Sequence, residues 1–142
     1  MAEHISIFMQ NEPGKLDKIT AILAEGGINI RAFSIASSGE FGILKMLLDD
    51  SGKAFKLLSE RGLTVSKRKI IVCLIDDAPG SFHKMLSVLA ENNMNIEDSY
   101  GFLMEKSGRA AIVLETENMP DVERVLRSNS IQIMKDEEIF SL

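Results

Sequence analysis

A chain of 142 residues that is 45% apolar and 26% charged, with three prolines, has the make-up of an ordinary globular protein. Such a length holds one domain, or two small ones that each bury a limited core. Its formal charge of −5 comes from 16 basic and 21 acidic residues, and the basic ones are scattered apart from Lys67-Arg68-Lys69, which argues against nucleic acid or an anionic membrane as partner. No apolar run reaches bilayer length and the N-terminus opens on polar Ala2-Glu3-His4, so the cytoplasm is the expected location.

Ile5, Ile7 and Met9 alternate with His4, Ser6 and Phe8, the period of a strand with one apolar face. Pro13 is expected at the first position of a helix, where its missing N–H costs nothing. Leu16, Ile19 and Leu23 share one face of that helix, and Gly26-Gly27 ends it. A second strand is expected over residues 28–36, a turn at Ser37-Ser38-Gly39, and a third strand over Phe41–Leu48. A second helix carries Ala54, Leu57 and Leu58 and closes at Gly62 before a last strand over residues 63–67.

The remainder of the chain repeats this order. Pro13-Gly14 recurs 66 residues on as Pro79-Gly80, and at the same offset Asn11 falls on Asp77, Leu16 on Phe82, Leu23 on Leu89, and Ile28-Asn29-Ile30 on Met94-Asn95-Ile96. Past the middle hairpin the offset is 68, which pairs Leu57-Leu58 with Val125-Leu126 and Leu63 with Ile131, so the second hairpin has two extra residues. The predicted elements of the second copy are strand 70–75, helix 79–92, strands 94–104 and 110–115, helix Met119–Ser128 and strand 131–134. Asn92-Asn93 stands where the first copy has glycines, and asparagine also tolerates the left-handed conformation of a helix end. The fold class is therefore α+β: two tandem ferredoxin-like βαββαβ units with antiparallel sheets, residues 1–68 and 69–142, with both helices of each on one face. Strand Phe41–Leu48 is apolar at nearly every position, so its second face is expected to be covered by the other unit or by a partner chain.

Chemistry is concentrated where strand one meets helix one. The segments are Gln10-Asn11-Glu12-Pro13-Gly14-Lys15-Leu16 and Asp76-Asp77-Ala78-Pro79-Gly80-Ser81-Phe82. A glycine inside a helix is worse than alanine by about 1 kcal/mol, so close approach of a ligand or of backbone is expected at Gly14 and Gly80. Free amides at a helix start suit a carboxylate, and the side-chain oxygen of Asn11 or Asp77 suits an ammonium, although both residue types also cap helices. Asn29 and Asn95 form a second pair at the start of strand two, where asparagine is a poor strand former and offers both a donor and an acceptor.

These segments, Asn11-Glu12-Pro13-Gly14-Lys15-Leu16 with Gly27-Ile28-Asn29-Ile30 and Asp77-Ala78-Pro79-Gly80-Ser81-Phe82 with Met94-Asn95-Ile96, resemble the ACT domain family of amino-acid-sensing modules. The likeness covers essentially the whole chain and is closest to stand-alone tandem-ACT amino-acid-binding proteins. It implies a non-catalytic regulatory module that binds a small ligand, an amino acid, at a domain or subunit interface. By that resemblance Asn11, Gly14, Asn29, Asp77, Gly80 and Asn95 are ligand contacts, and a metabolic enzyme or regulator is a possible partner beside a homodimer. Phe82 and Met94 depart from the family's usual leucine and isoleucine or valine.

A dimerisation or protein-interaction module without a ligand is the main alternative, because apolar sheet faces explain much by themselves. A small enzyme ranks behind both: His4, His83 and the single Cys73 assemble no nucleophile–base pair, and no metal or other cofactor is called for. RNA-recognition domains share the element order, but they stack bases on strand aromatics, and here only Phe41 stands at the edge of strand three.

Overall fold

The computed structural model describes residues 2–142. Its first repeat contains β1 (Glu3–Gln10), α1 (Lys15–Glu25), β2 (Ile30–Ser38), β3 (Phe41–Leu48), α2 (Ser51–Glu60) and β4 (Thr64–Lys69). The second contains β5 (Ile71–Asp76), α3 (Ser81–Glu91), β6 (Asp98–Met104), β7 (Arg109–Glu115), α4 (Met119–Ser128) and β8 (Gln132–Ile133), and a short helix α5 (Asp136–Phe140) follows. The two sheets have the orders β2-β3-β1-β4 and β6-β7-β5-β8. By their contacts, Glu3–Arg68 form one compact unit with Glu137–Leu142, and Lys69–Asp136 form the other together with Ala2. No helix among the described residues is long and apolar enough to cross a membrane.

Antiparallel register sorts the side chains of the first unit. Ile5 lies opposite Met46 and Ile7 opposite Leu44, and directly opposed residues share a face. These four are buried with Ile19 and Leu23 of α1 and Ala54 and Leu58 of α2, so both helices cover one side of the sheet. In the second unit Ile71 and Cys73 take the same role against Met85, Leu89, Val122 and Leu126.

The other sides of the two sheets differ. Val72 opposite Val113 and Leu74 opposite Ala111 are all buried on the face turned from α3 and α4. In the first unit Leu47 is buried, whereas Phe8 and Ile43, directly opposed, are 49% and 43% exposed. Phe8 stacks on Phe41 with ring centroids 5.2 Å apart. Part of this apolar face is therefore exposed in the single chain.

Helix starts correct the sequence reading in one respect. Pro13 is not the first helical residue. Glu12 to Lys15 form a β-turn in which the Lys15 amide donates to the Glu12 carbonyl at 3.3 Å, and Gly14 sits at φ +83°, ψ −7° as the N-cap of α1. Ala78 to Ser81 repeat it, with Gly80 at φ +87°, ψ −13°. Proline then glycine is the sequence that a type II turn requires, because its second corner has positive φ. A Cβ at either glycine would meet nothing within 4 Å. Backbone conformation, not a close approach of the chain's own backbone, demands these glycines.

Helix ends follow the expected logic. The Ile28 amide donates to the Leu23 carbonyl at 2.9 Å around Gly27 (φ +69°), and the Met94 amide to the Leu89 carbonyl at 2.9 Å around Asn93 (φ +54°). Asparagine thus takes the left-handed position that glycine occupies in the first repeat.

Because the space beside Gly14 and Gly80 is open, Gly14→Ala and Gly80→Ala should each destabilise by about 1–2 kcal/mol through left-handed strain alone. Urea unfolding should show a lower midpoint with an unchanged slope; an unchanged midpoint would contradict the turn assignment.

Candidate functional site

The two β–α junctions present their groups in similar ways. At the first, the Asn11 amide donates to the Glu40 carbonyl at 2.7 Å and its side-chain Nδ2 to the Gly39 carbonyl at 3.1 Å. Asn11 therefore ties the loop to the β2–β3 hairpin through backbone and side chain, and it is exposed. At the second, the Asp77 amide donates to the Gly108 carbonyl of the longer hairpin at 2.9 Å. Neither α1 nor α3 has a side-chain cap, so amides of each first turn, at the positive end of the helix, are open to an outside acceptor.

Asn29 and Asn95 stand elsewhere. The Asn29 amide donates to Asp49 Oδ1 at 3.0 Å, and the Asp49 amide returns a bond to the Asn29 carbonyl at 3.1 Å. Thr116 Oγ1 donates to the Asn95 carbonyl at 2.6 Å. Asp49 and Thr116 escaped the sequence reading, although both follow from antiparallel pairing of strands two and three, which brings the residue after strand three back to the start of strand two. Asn95 also lines a cavity of about 400 Å³ with Asn92, Asn93, Thr116, Asn118 and Asp121.

Register decides which of these candidates meet. Gln10 pairs with Phe41 at one end of β3, and Ile30 pairs with Leu48 at the other. Asn11 and Asn29 of one unit are thus separated by the length of β3, ~23 Å at about 3.3 Å per residue. In the second unit Asp76 pairs with Arg109 and Asp98 with Glu115, which parts Asp77 from Asn95 by ~20 Å on the same rise. Within one repeat, then, the sheet holds the two members of each pair at opposite ends.

Residues 1–142 match the family model of the ACT domain pair. The chain belongs to the ACT domain family. Among solved structures, this ACT domain pair is similar to a protein from Bacteroides thetaiotaomicron at 29% identity and TM-score 0.93, over 99% of this chain and 96% of that one. It shares its fold with the ligand-free regulatory subunit of aspartate kinase from Thermus thermophilus, at 20% identity and TM-score 0.64 over 89% and 91% of the two chains. Aspartate kinase from Clostridium acetobutylicum has a similar region, at 18% identity and TM-score 0.54 over 88% of this chain and 32% of that enzyme. No curated protein matches the chain.

Groups suited to catalysis are placed otherwise in this ACT pair. His4 is buried in β1. His83 Nε2 lies 3.5 Å from Ser87 Oγ one turn along the exposed side of α3. Burial pushes the Cys73 thiol up to about 12, far from the thiolate that nucleophilic or metal chemistry needs. The Tyr100 phenol is also raised, first by burial and then by the carboxylates of Asp98 and Glu115, and it stays protonated.

The thiol has a measurable consequence. Its folded pKa lies above the unfolded value, so the unfolded chain loses its proton first as pH rises. Stability from this group is therefore complete below about pH 9 and is lost as pH climbs toward 12. Cys73→Ala should flatten that alkaline decline, and a thiol reagent should label the native protein only as fast as it opens; immediate labelling would contradict the burial.

Proposed function

We propose that this chain is a non-catalytic regulatory module, its repeats dividing at residues 68 and 69, that binds a small amino acid between ACT folds of two chains as a homodimer. Family membership supports a regulatory, ligand-binding module. The observation that carries the amino-acid reading is the uncapped helix start in both repeats, each behind a Pro-Gly turn and each following an exposed carboxamide or carboxylate residue, Asn11 or Asp77. First-turn amides take the carboxylate of the ligand, while the oxygens of Asn11 and Asp77 take its ammonium. The amides of Asn29 and Asn95, whose side chains make no hydrogen bond among the described residues, take up the other side of the ligand.

Because the strand register parts these two groups within one unit, in this reading they come from different ACT folds, and β2 offers a route. It is an edge strand, residues 32–38 carry no charge, and Phe33 and Ile35 are 58% and 42% exposed. An uncharged apolar edge invites a symmetric partner strand. The same edge favours the second reading, a dimerisation module without a ligand. In the ligand-binding reading the cytoplasm is the working compartment, and the signal passes to a metabolic enzyme or regulator without any cofactor. The solved regulatory subunits of aspartate kinase offer a precedent for a separate regulatory chain of this fold.

Calorimetry against the common amino acids, paired with sedimentation, separates the readings. One amino acid should bind, and Asn11→Ala, Asn29→Ala, Asp77→Ala or Asn95→Ala should weaken it by roughly one to two decades, the loss of a bond to a charged group worth about 1.5–3 kcal/mol. Ile35→Lys should yield monomers that bind poorly. A dimer that binds no amino acid would favour the second reading, and a tight-binding monomer would overturn the interface.

A further inference from the structure

Each ACT unit has a groove beside its first helix, and the two grooves occupy the same place in the repeat. In the first unit a groove of about 390 Å³ runs between α1 and the turn after α2, lined by Lys15, Lys18, Ile22, Glu25, Arg61 and Leu63. In the second a groove of about 240 Å³ runs between α3 and the turn after α4, where Lys84, Val88 and Ile131 stand at the repeat positions of Lys18, Ile22 and Leu63. Asp76, Ser81, Arg109, Asn129 and Ser130 complete its polar lining.

Both grooves are positive in a protein whose net charge is −5. In the first, Arg61 Nη2 is 3.3 Å from Glu25 Oε2, which uses the local carboxylate, while Lys15 and Lys18 have no ion-pair partner among the described residues. In the second, Arg109 is held rigidly: Nη1 donates to Gln132 Oε1 at 2.8 Å and Nη2 to the Leu74 carbonyl at 3.3 Å. Its Nε is buried without a hydrogen-bond acceptor, 4.0 Å from Asp76 Oδ1. Lys84 has no ion-pair partner among the described residues. An unpaired ammonium over an apolar floor, beside a second cation fixed by protein contacts, makes a receptor for a small anion, because the fixed cation is already oriented and the apolar wall weakens solvent screening.

We propose that these equivalent grooves are a pair of anion sites, one per ACT unit, that take a small phosphate- or carboxylate-bearing metabolite, with Lys18 and Lys84 as the corresponding cations. The grooves border the first turns of α1 and α3 but use none of Asn11, Asn29, Asp77 and Asn95, and their anion is held by the side chains of Lys18 and Lys84 rather than by first-turn amides. They lie within single units, and they keep their affinity whether or not an amino acid binds or chains associate.

Nuclear magnetic resonance titration of the isotope-labelled full-length protein with inorganic phosphate, and separately with succinate, at constant ionic strength in sodium chloride, tests this. Amides of residues 18–22 and 61–63, and of 84–88 and 130–131, should shift saturably, whereas shifts confined to residues 15–17 and 81–83 would assign the anion to the helix starts and overturn the grooves. Lys18→Glu should raise the apparent Kd at the first groove at least tenfold and leave the second unchanged, and Lys84→Glu should do the converse. Both positions are exposed, so the variants should keep the wild-type spectrum elsewhere. Saturation by phosphate alone assigns a phosphate ester, and by succinate alone a carboxylate. A response at one groove only overturns the pairing; titrations unaltered by either substitution, or shifts elsewhere, overturn the sites.

Discussion

The central antiparallel ladder, β1 with β3 and β5 with β7, is the constraint from which the rest follows. Pairing Ile5 with Met46 and Ile7 with Leu44 sends one set of apolar residues to the helices, and each buried side chain of this kind contributes about 1.5–3 kcal/mol. A register slip of one residue would send Ser6 and Phe8 inward instead. The same ladder fixes the distance between the two ends of the sheet, and so places the β–α junction and the start of strand two where no single small molecule can touch both.

Much of this was legible in the sequence because the controlling signals are local and occur twice. Alternation in residues 4–9, the helical spacing of Leu16, Ile19 and Leu23, and the repeated Pro-Gly gave the order of elements and the fold class. Asn93 is a clear example: a residue type suited to positive φ, found where the first repeat has glycine, adopts φ +54°. The second hairpin has four residues between its strands where the first has two, as the change of offset implied.

Other features depend on tertiary context and were hidden. Strand two begins at Ile30 rather than residue 28 because the Ile28 amide is spent on the end of α1. Pro-Gly reads equally as a helix start or as a turn before one, and only the backbone angles at Gly14 and Gly80 separate the two. Helix α5 has five residues, three of them acidic, with Ile139 its single buried residue, too short for any periodicity to register. The grooves beside Lys18 and Lys84 join a helix to a turn more than 40 residues away, a relation no local pattern carries.

The central claim is that one amino acid is held by the β–α junction of one chain and the strand-two start of another. Mixing two inactive proteins tests it most directly: Asn11→Ala/Asp77→Ala, which spoils both junctions, and Asn29→Ala/Asn95→Ala, which spoils both strand starts. After unfolding and refolding together to exchange chains, calorimetry should find that each parent binds weakly while the mixture regains tight sites, because a mixed dimer has an intact junction facing an intact strand start. A mixture no better than its parents, in a sample shown to contain mixed dimers, would contradict the account.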